Sequence, residues 1–254
     1  MSELNNRKND SNFGYKKVDK KEKGILVGNV FTDVAGRYDI FNDIASVGLH
    51  RIWKKYAVWL LNAKSSDVVL DIASGTGDLA LEISKTLLKK EQLWMTDVNF
   101  EMLSIGRQRC LDLGKNFRTV LCNAETLPFR DCYFDKATIA FGLRNFTDRI
   151  AALKEISRVL KPGGKLLVLE FSKIEAGFGE LYDWYLSNLL PQIGSLVVGK
   201  EDPYQYLVES IKTYPNPMKI SSEMNESGFS AVRYQKVLFG AVSIHQAFTS
   251  TDTD

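Results

Sequence analysis

Two carboxylates and a pair of glycines carry the strongest chemical signal in this chain of 254 residues. Residues 68–78 read Val68-Val69-Leu70-Asp71-Ile72-Ala73-Ser74-Gly75-Thr76-Gly77-Asp78, a β-branched apolar run that enters a short glycine-containing loop. A buried parallel strand hands over to a helix in this way. Gly75 and Gly77 let the backbone turn sharply and approach a ligand with no Cβ in between. The helix start behind them offers unpaired N–H groups. The loop alone fits an ordinary strand-to-helix turn as well as it fits a cofactor cradle. Asp97, after Leu93-Trp94-Met95-Thr96 and about twenty residues past the glycines, tips the balance. An acidic residue at the end of the second strand is placed to accept hydrogen bonds from both hydroxyls of an adenosine ribose.

Charge narrows the ligand. The loop reads Asp-x-x-x-Gly-x-Gly and lacks the third glycine of the dinucleotide fingerprint. Asp71 and Asp78 flank it with negative charge, which repels a pyrophosphate and attracts an ammonium or sulfonium. The expected ligand is therefore S-adenosylmethionine, which has a ribose and a positive sulfur but no phosphate; a dinucleotide is the alternative. Asp71, Ser74, Gly75, Gly77 and Asp97 are the expected cofactor-binding positions on this reading.

These residues need elements to hold them, and composition bounds what those can be. Apolar residues make up 44% and charged residues 25%, as in an ordinary soluble globule, and the length suits one large α/β domain. A net charge of +2 gives no electrostatic argument for nucleic acid. Cys110, Cys122 and Cys132 form no close pair and read as thiols of a reducing, cytoplasmic compartment. With only His50 and His245 present, no metal site is expected. The start of the chain has no secretory pattern. The longest apolar stretch, residues 186–198, is broken by Pro191, Gln192 and Gly194, so no membrane span is expected.

Along the chain, residues 1–24 read as a mobile polar tail. Lys16, Lys17, Lys20, Lys21 and Lys23 make it basic. Simple solvation is the preferred account, and attraction to anionic lipid head groups the sharper one. Residues 25–61 predict two helices that cap the cofactor pocket. Tyr38, Asn42 and His50 there mix polar and apolar character, which suits either a substrate pocket or a packed cap. Strand and helix then alternate, the pattern of a doubly wound, mostly parallel sheet. Strands are expected at 93–96, 117–122, 134–140 and 165–171, with helices at 79–88, 101–113 and 148–160. At the end of the third strand, Asn123 could meet an adenine edge and Ala124 offer its N–H; an Asx turn is the alternative for Asn123. Residues 174–227 interrupt the alternation with an aromatic, apolar block at 178–198 and helices at 204–211 and 218–226. They read as a helical lid suited to a greasy substrate. Runs 231–237 and 238–247 predict an antiparallel final hairpin. The whole is one domain over 25–248, with a tail at 249–254.

The residues also resemble a known family, the ubiquinone/menaquinone biosynthesis C-methyltransferases, over nearly the whole chain from Phe13 to Phe248. The resemblance rests on Tyr38-Asp39-x-x-Asn42-Asp43, Gly48-x-His50-Arg51-x-Trp53-Lys54, the glycine loop, Asn123-Ala124-Glu125-x-Leu127-Pro128-Phe129 and Phe141-Gly142-Leu143-Arg144-Asn145. It continues through Arg158-Val159-Leu160-Lys161-Pro162-Gly163-Gly164, Leu169-Glu170-Phe171-Ser172-Lys173 and Pro191-x-Ile193-Gly194. The glycine loop and the Lys-Pro-Gly-Gly turn are common to many methyltransferases; Phe-Gly-Leu-Arg-Asn and Leu-Glu-Phe-Ser-Lys are far more specific. The resemblance implies the class I methyltransferase fold, and contacts to S-adenosylmethionine from Thr76, Asp97, Asn123 and Ala124. Ala140 stands where the family often has Ser, so only a backbone contact carries over there. Ser74 stands where Gly is frequent, a small change. The implied substrate is a prenylated quinol: demethylmenaquinol, a methoxy-polyprenyl-benzoquinol, or both.

Methylating a ring carbon needs an electron-rich ring, which a quinol supplies, more so once ionised. Donors aimed at its oxygen stabilise the phenolate. Arg144 and Asn145, at the carboxyl end of the fourth strand, sit where such donors belong. Arg144 cannot be a conventional base, so its expected role is charge stabilisation or orientation of a proton-accepting water, against a structural salt bridge. His50 or Tyr38 is the candidate acceptor of the ring proton. Peripheral association with the inner face of the membrane is expected, and a homodimer is compatible with the sequence. The rivals are methylation of a sterol or fatty-acyl lipid, a non-catalytic cofactor-binding subunit of a quinone-synthesis assembly, and a nicotinamide oxidoreductase.

Overall fold

The computed structural model describes residues 10–174, 184, 188, 192 and 202–251. Strands β1 (Asp10–Phe13) and β2 (Lys16–Asp19) pair antiparallel at the start of the chain. Residues 10–24, expected as part of a mobile tail, are therefore ordered. Long-range contacts hold them. Phe13 stacks on Tyr206 with ring centroids 4.4 Å apart. The Ser11 hydroxyl donates to the Thr147 carbonyl at 3.2 Å, and Lys20 pairs with Asp148 at 2.6 Å. Gly14 turns the hairpin at a φ of +58°, a conformation cheap only for glycine.

Asp19 caps helix α1 (Lys20–Val34) by accepting from the Lys21 N–H at 2.8 Å. Helices α2 (Tyr38–Ser46) and α3 (His50–Leu61) follow, so the cap holds three helices where two were expected. The extra break is a 3-10 turn at Ala35–Arg37 between α1 and α2, while Val47 and Gly48, with left-handed φ values of 51° and 75°, end α2 where the second helix was expected to open.

The main sheet contains β3 (Val69–Ile72), β4 (Leu93–Asp97), β5 (Arg118–Leu121), β6 (Phe134–Ala140), β7 (Leu160–Phe171), β8 (Phe229–Val237) and β9 (Val242–Thr249), in the order β5-β4-β3-β6-β7-β9-β8. Pairing is parallel from β5 through β7. It is antiparallel for β9 against both β7 and β8. Every residue of β3 is buried, because helices cover both faces of a parallel sheet. Helices α4 (Asp78–Ile83), α5 (Phe100–Asp112) and α6 (Arg149–Val159) are the crossovers. One core layer gathers Trp53, Leu61, Ile83 and Tyr204; the other gathers Phe134, Leu153, Ile156 and Met224. Strand order reverses between β3 and β6, and the crevice outside the carboxyl ends of strands at such a switch point is where open α/β sheets bind ligands.

Helices α7 (Asp202–Thr213) and α8 (Pro217–Glu226) occupy the second half of the expected lid. α8 packs on β8 and α6, and so belongs to the layer covering the sheet. α7 packs on α1 and β1. The apolar block at 178–198 lies outside the described residues apart from Trp184, Asn188 and Gln192. Among the described residues, no helix is long and apolar enough to cross a membrane.

Candidate active site

The crevice is built from two strand ends under strain. Ala73, just past β3, and Phe141, just past β6, take φ values of 52° and 58°, unusual for residues with a side chain. Such strain concentrates where a backbone must present itself to a ligand. Gly142 permits the approach of the two ends: a Cβ there would lie 2.8 Å from the Ala73 Cβ. Gly75 takes a φ of +53°, and α5 presses on its loop so closely that a Cβ on Gly106 would lie 2.5 Å from the Gly75 carbonyl oxygen.

Over these ends lies a cavity enclosing about 880 Å³ of empty space, its solvent mouth included. Gly24, Val27, Gly28 and Phe31 of α1 form one wall. Gly75, Asp97, Asn123, Ala124, Ala140, Asn145 and Tyr38 line it too, so seven of the residues singled out in the sequence meet around one space. Asp97 accepts the Gly75 N–H at Oδ2 and the Asn99 N–H at Oδ1, both at 2.9 Å. Burial raises its pKa, against the pull of these backbone bonds. Each carboxylate oxygen keeps further acceptor capacity, enough for a pair of ribose hydroxyls. Asn99 caps α5 and donates from Nδ2 to the Gly28 carbonyl and Thr32 hydroxyl at 3.0 Å, tying α1 over the pocket. The Asn123 side chain accepts the Glu125 N–H at 2.9 Å, the Asx turn of the alternative reading, while still lining the cavity.

A smaller recess adjoins it, lined by Asp71, Ser74, Thr76, Tyr38 and Lys54 among others. Asp71 is buried; its Oδ1 accepts from the Thr138 hydroxyl at 2.7 Å, and its Oδ2 has no hydrogen-bond partner among the described residues. Burial pushes this carboxyl up to about 7. Ser74 stitches the strand ends, donating to the Asp71 carbonyl at 2.8 Å and accepting from the Thr96 N–H at 3.1 Å. The Thr76 hydroxyl donates to Asp39 at 3.0 Å.

Three expectations are corrected here. Asp78 does not supply the loop with free negative charge: Lys54 at 2.9 Å and Arg109 at 2.6 Å neutralise it, outweighing its burial and holding its pKa low. The electrostatic conclusion stands on other residues, because among the described residues the only charged side chains lining the main cavity are Asp97 and Glu125. A phosphate-free cationic nucleoside fits that lining; a pyrophosphate does not. Gly77 lines neither space. Its missing Cβ makes room for Met95 and Cys110, which such an atom would meet at 3.1 and 3.2 Å. His50 lines neither space either; it is buried, and its Nε2 lies 2.9 Å from Asp43 Oδ1. Burial lowers its pKa.

The remaining catalytic candidates form a buried network. Arg144 pairs with Glu170 at 2.6 Å and donates to the Phe141 carbonyl at 2.6 Å and the Ser210 hydroxyl at 3.3 Å. Its guanidinium lies 5.4 Å from the Phe171 ring centroid. It stands behind the cavity wall rather than among the lining residues. This is the structural salt bridge weighed for it in the sequence, with the charge already matched. Asn145, which does line the cavity, is held by the Tyr206 hydroxyl donating to its Oδ1 at 2.9 Å. Tyr38 is not available as a base at neutral pH, since burial pushes its phenol up to about 12 and keeps it protonated. Glu170 and Tyr206 escaped sequence reasoning. Glu170 stood in a quoted motif with nothing to say what it faced, and the partners of Tyr206 lie some sixty and two hundred residues away along the chain.

Comparison with known proteins agrees with this geometry. Residues 16–249 match the ubiE/COQ5 methyltransferase family. The ubiquinone/menaquinone biosynthesis C-methyltransferase UbiE of Chromobacterium violaceum is 47% identical over 93% of this chain and 97% of its own length. The enzyme of the same name from Neisseria meningitidis is 46% identical over 93% and 96%. Among solved structures, a SAM-dependent methyltransferase from Thermotoga maritima superposes with a TM-score of 0.63 over 88% of this chain and 100% of that one. At 18% identity that likeness speaks for the fold alone, a class I methyltransferase fold.

Proposed function

The chain belongs to the ubiE/COQ5 methyltransferase family, and on that premise we propose that it methylates a ring carbon of a prenylated quinol in ubiquinone or menaquinone biosynthesis, with S-adenosylmethionine as donor. The observation that carries the reading is the cavity at the switch point, lined among the described residues by carboxylates and no lysine or arginine, with the half-buried Asp97 in its wall. When bound, the donor supplies an electrophilic methyl group on a sulfonium. The acceptor ring gains that methyl and loses a proton, and S-adenosylhomocysteine leaves.

Each residue then has a task. Asp97 holds the ribose hydroxyls, Asn123 and Ala124 face the adenine, and the recess with the unpartnered Asp71 oxygen takes the cationic methionine end. Burial of both ring and donor strengthens every polar contact between them and aligns the reacting atoms. Asn145 addresses the quinol oxygen. Arg144 and Glu170 position the turn that carries Asn145 and Phe141, so we assign Arg144 a positioning role. Tyr38 stays protonated at neutral pH and donates a hydrogen bond instead of accepting the ring proton.

The substrate's prenyl tail belongs in a bilayer. We place the protein in the cytoplasm, peripheral to the inner face of the membrane; the exposed Ile25, Ile52 and Trp59 of α1 and α3 support this. High salt or mild detergent should release it, and resistance to both would contradict a peripheral attachment. The function itself is tested by supplying the purified chain with methyl-labelled S-adenosylmethionine and demethylmenaquinol. Label should enter the quinone ring. Transfer only to sterol or fatty-acyl acceptors, or no transfer at all, would overturn the assignment.

A further inference from the structure

A second cavity lies beside the donor pocket, walled by β1, α1, the start of α6 and the end of α7. It is polar, and Lys20, Lys23, Arg144 and Arg149 all line it. Three of these cations are matched. Lys20 pairs with Asp148, itself in the lining, at 2.6 Å; Arg144 pairs with Glu170 at 2.6 Å; Arg149 pairs with Glu223 at 2.8 Å. Lys23 is not. It is 2% exposed, its ammonium donates to the Phe146 carbonyl at 2.8 Å, and no carboxylate comes within ion-pair distance among the described residues. Burial pushes its pKa down to about 8, with Arg149 acting in the same sense and Glu125, beyond ion-pair distance, opposing, so it remains largely charged at neutral pH. Two further donors are open. The hydroxyl of Tyr214, which is 4% exposed and lines the cavity, has no hydrogen-bond partner among the described residues. Arg149 holds Glu223 through Nε and Nη2, leaving Nη1.

A buried ammonium without an ion-pair partner is costly, and folded proteins seldom retain one unless something supplies the opposite charge at close range. We propose that this cavity is an oxyanion site that takes a phosphate-class group against Lys23, with Arg149 and the Tyr214 hydroxyl as further donors. Donors carried on α1, α6 and the residue after α7 line one cavity and suit a tetrahedral group, and the polar lining excludes a prenyl chain. The group is either free phosphate or the headgroup of an anionic phospholipid. The proposal does not depend on which acceptor the enzyme methylates.

The test uses the full chain, its Lys23→Met and Tyr214→Phe variants, and Lys21→Met as an exposed control. Melting temperature and calorimetric binding are measured in sodium phosphate against sodium chloride of equal ionic strength. Flotation is measured with phosphatidylcholine vesicles with and without phosphatidic acid. We expect saturable binding, one group per chain, in the wild type and Lys21→Met, weakened at least tenfold in Lys23→Met and severalfold in Tyr214→Phe. In chloride, Lys23→Met should melt no lower than the wild type, since it loses an unmatched buried charge. Binding of phosphate itself identifies the free ion; flotation that needs phosphatidic acid and Lys23 identifies the headgroup. Equal melting in both salts together with equal flotation on both vesicles overturns the site, as does undiminished binding in Lys23→Met. Tyr214→Phe removes only an unpartnered hydroxyl, so it remains informative should Lys23→Met not fold. S-adenosylhomocysteine titrated alongside reports on the donor pocket separately, so failure of one reading is not failure of the other.

Discussion

Asp71→Asn isolates the cost of burying a carboxylate at the centre of the sheet. The residue is 1% exposed, has one partnered oxygen and one unpartnered one, and its carboxyl is pushed up to about 7 from an ordinary 3.8. A folded-state pKa above the unfolded-state value means that the native chain holds a proton the unfolded chain has lost. Wild-type stability from this group therefore falls as pH rises from about 4 to about 7. A shift of this size costs about 2 kcal/mol at pH 5 and about 4 kcal/mol at pH 8. Asparagine keeps an acceptor for the Thr138 hydroxyl and has no charge to desolvate. Its amide does not titrate, so its contribution is the same at every pH. The stability of the variant relative to wild type should therefore rise by about 2–3 kcal/mol between pH 5 and pH 8. Urea melts of both proteins at the two pH values measure this difference. A relative stability that moves by less than about 0.5 kcal/mol, within the scatter of such extrapolations, would refute the claim that Asp71 is buried without compensation.

Other perturbations follow from the same geometry. Asp97→Ala should weaken S-adenosylhomocysteine binding by at least about a hundredfold in calorimetry, because hydrogen bonds to a charged group contribute roughly 1.5–3 kcal/mol each; unchanged affinity would remove Asp97 from the site. Tyr38→Phe should leave the shape of the kcat–pH profile unchanged between pH 7 and 10, since a phenol held near 12 does not titrate there; loss of an alkaline limb would restore it as a base. Glu170→Ala leaves the Arg144 charge buried and unmatched and should destabilise the fold by about 3–5 kcal/mol in urea, far more than Glu170→Gln; equal, small losses from both would show the guanidinium to be solvated.

The frame of the molecule is written locally, and for that reason it is legible in the sequence. The all-buried β3, the glycine loop and Asp97 at the end of β4 depend on side-chain type and on spacing along a strand or turn, and the sheet order puts their ends at one crevice. What each charged group does there is decided through space. Asp78 looked free until Lys54, 24 residues before it, and Arg109, 31 after it, closed on it. Arg144 looked like a donor to substrate until Glu170, 26 residues on, took its charge. The hairpin at the start of the chain read as a tail because its anchors, Thr147 and Tyr206, lie more than a hundred residues away. Periodicity records which face of an element turns inward, because that follows from the geometry of a single strand or helix. Whether a buried charge meets its opposite depends on where distant elements dock, and only the packed fold determines that.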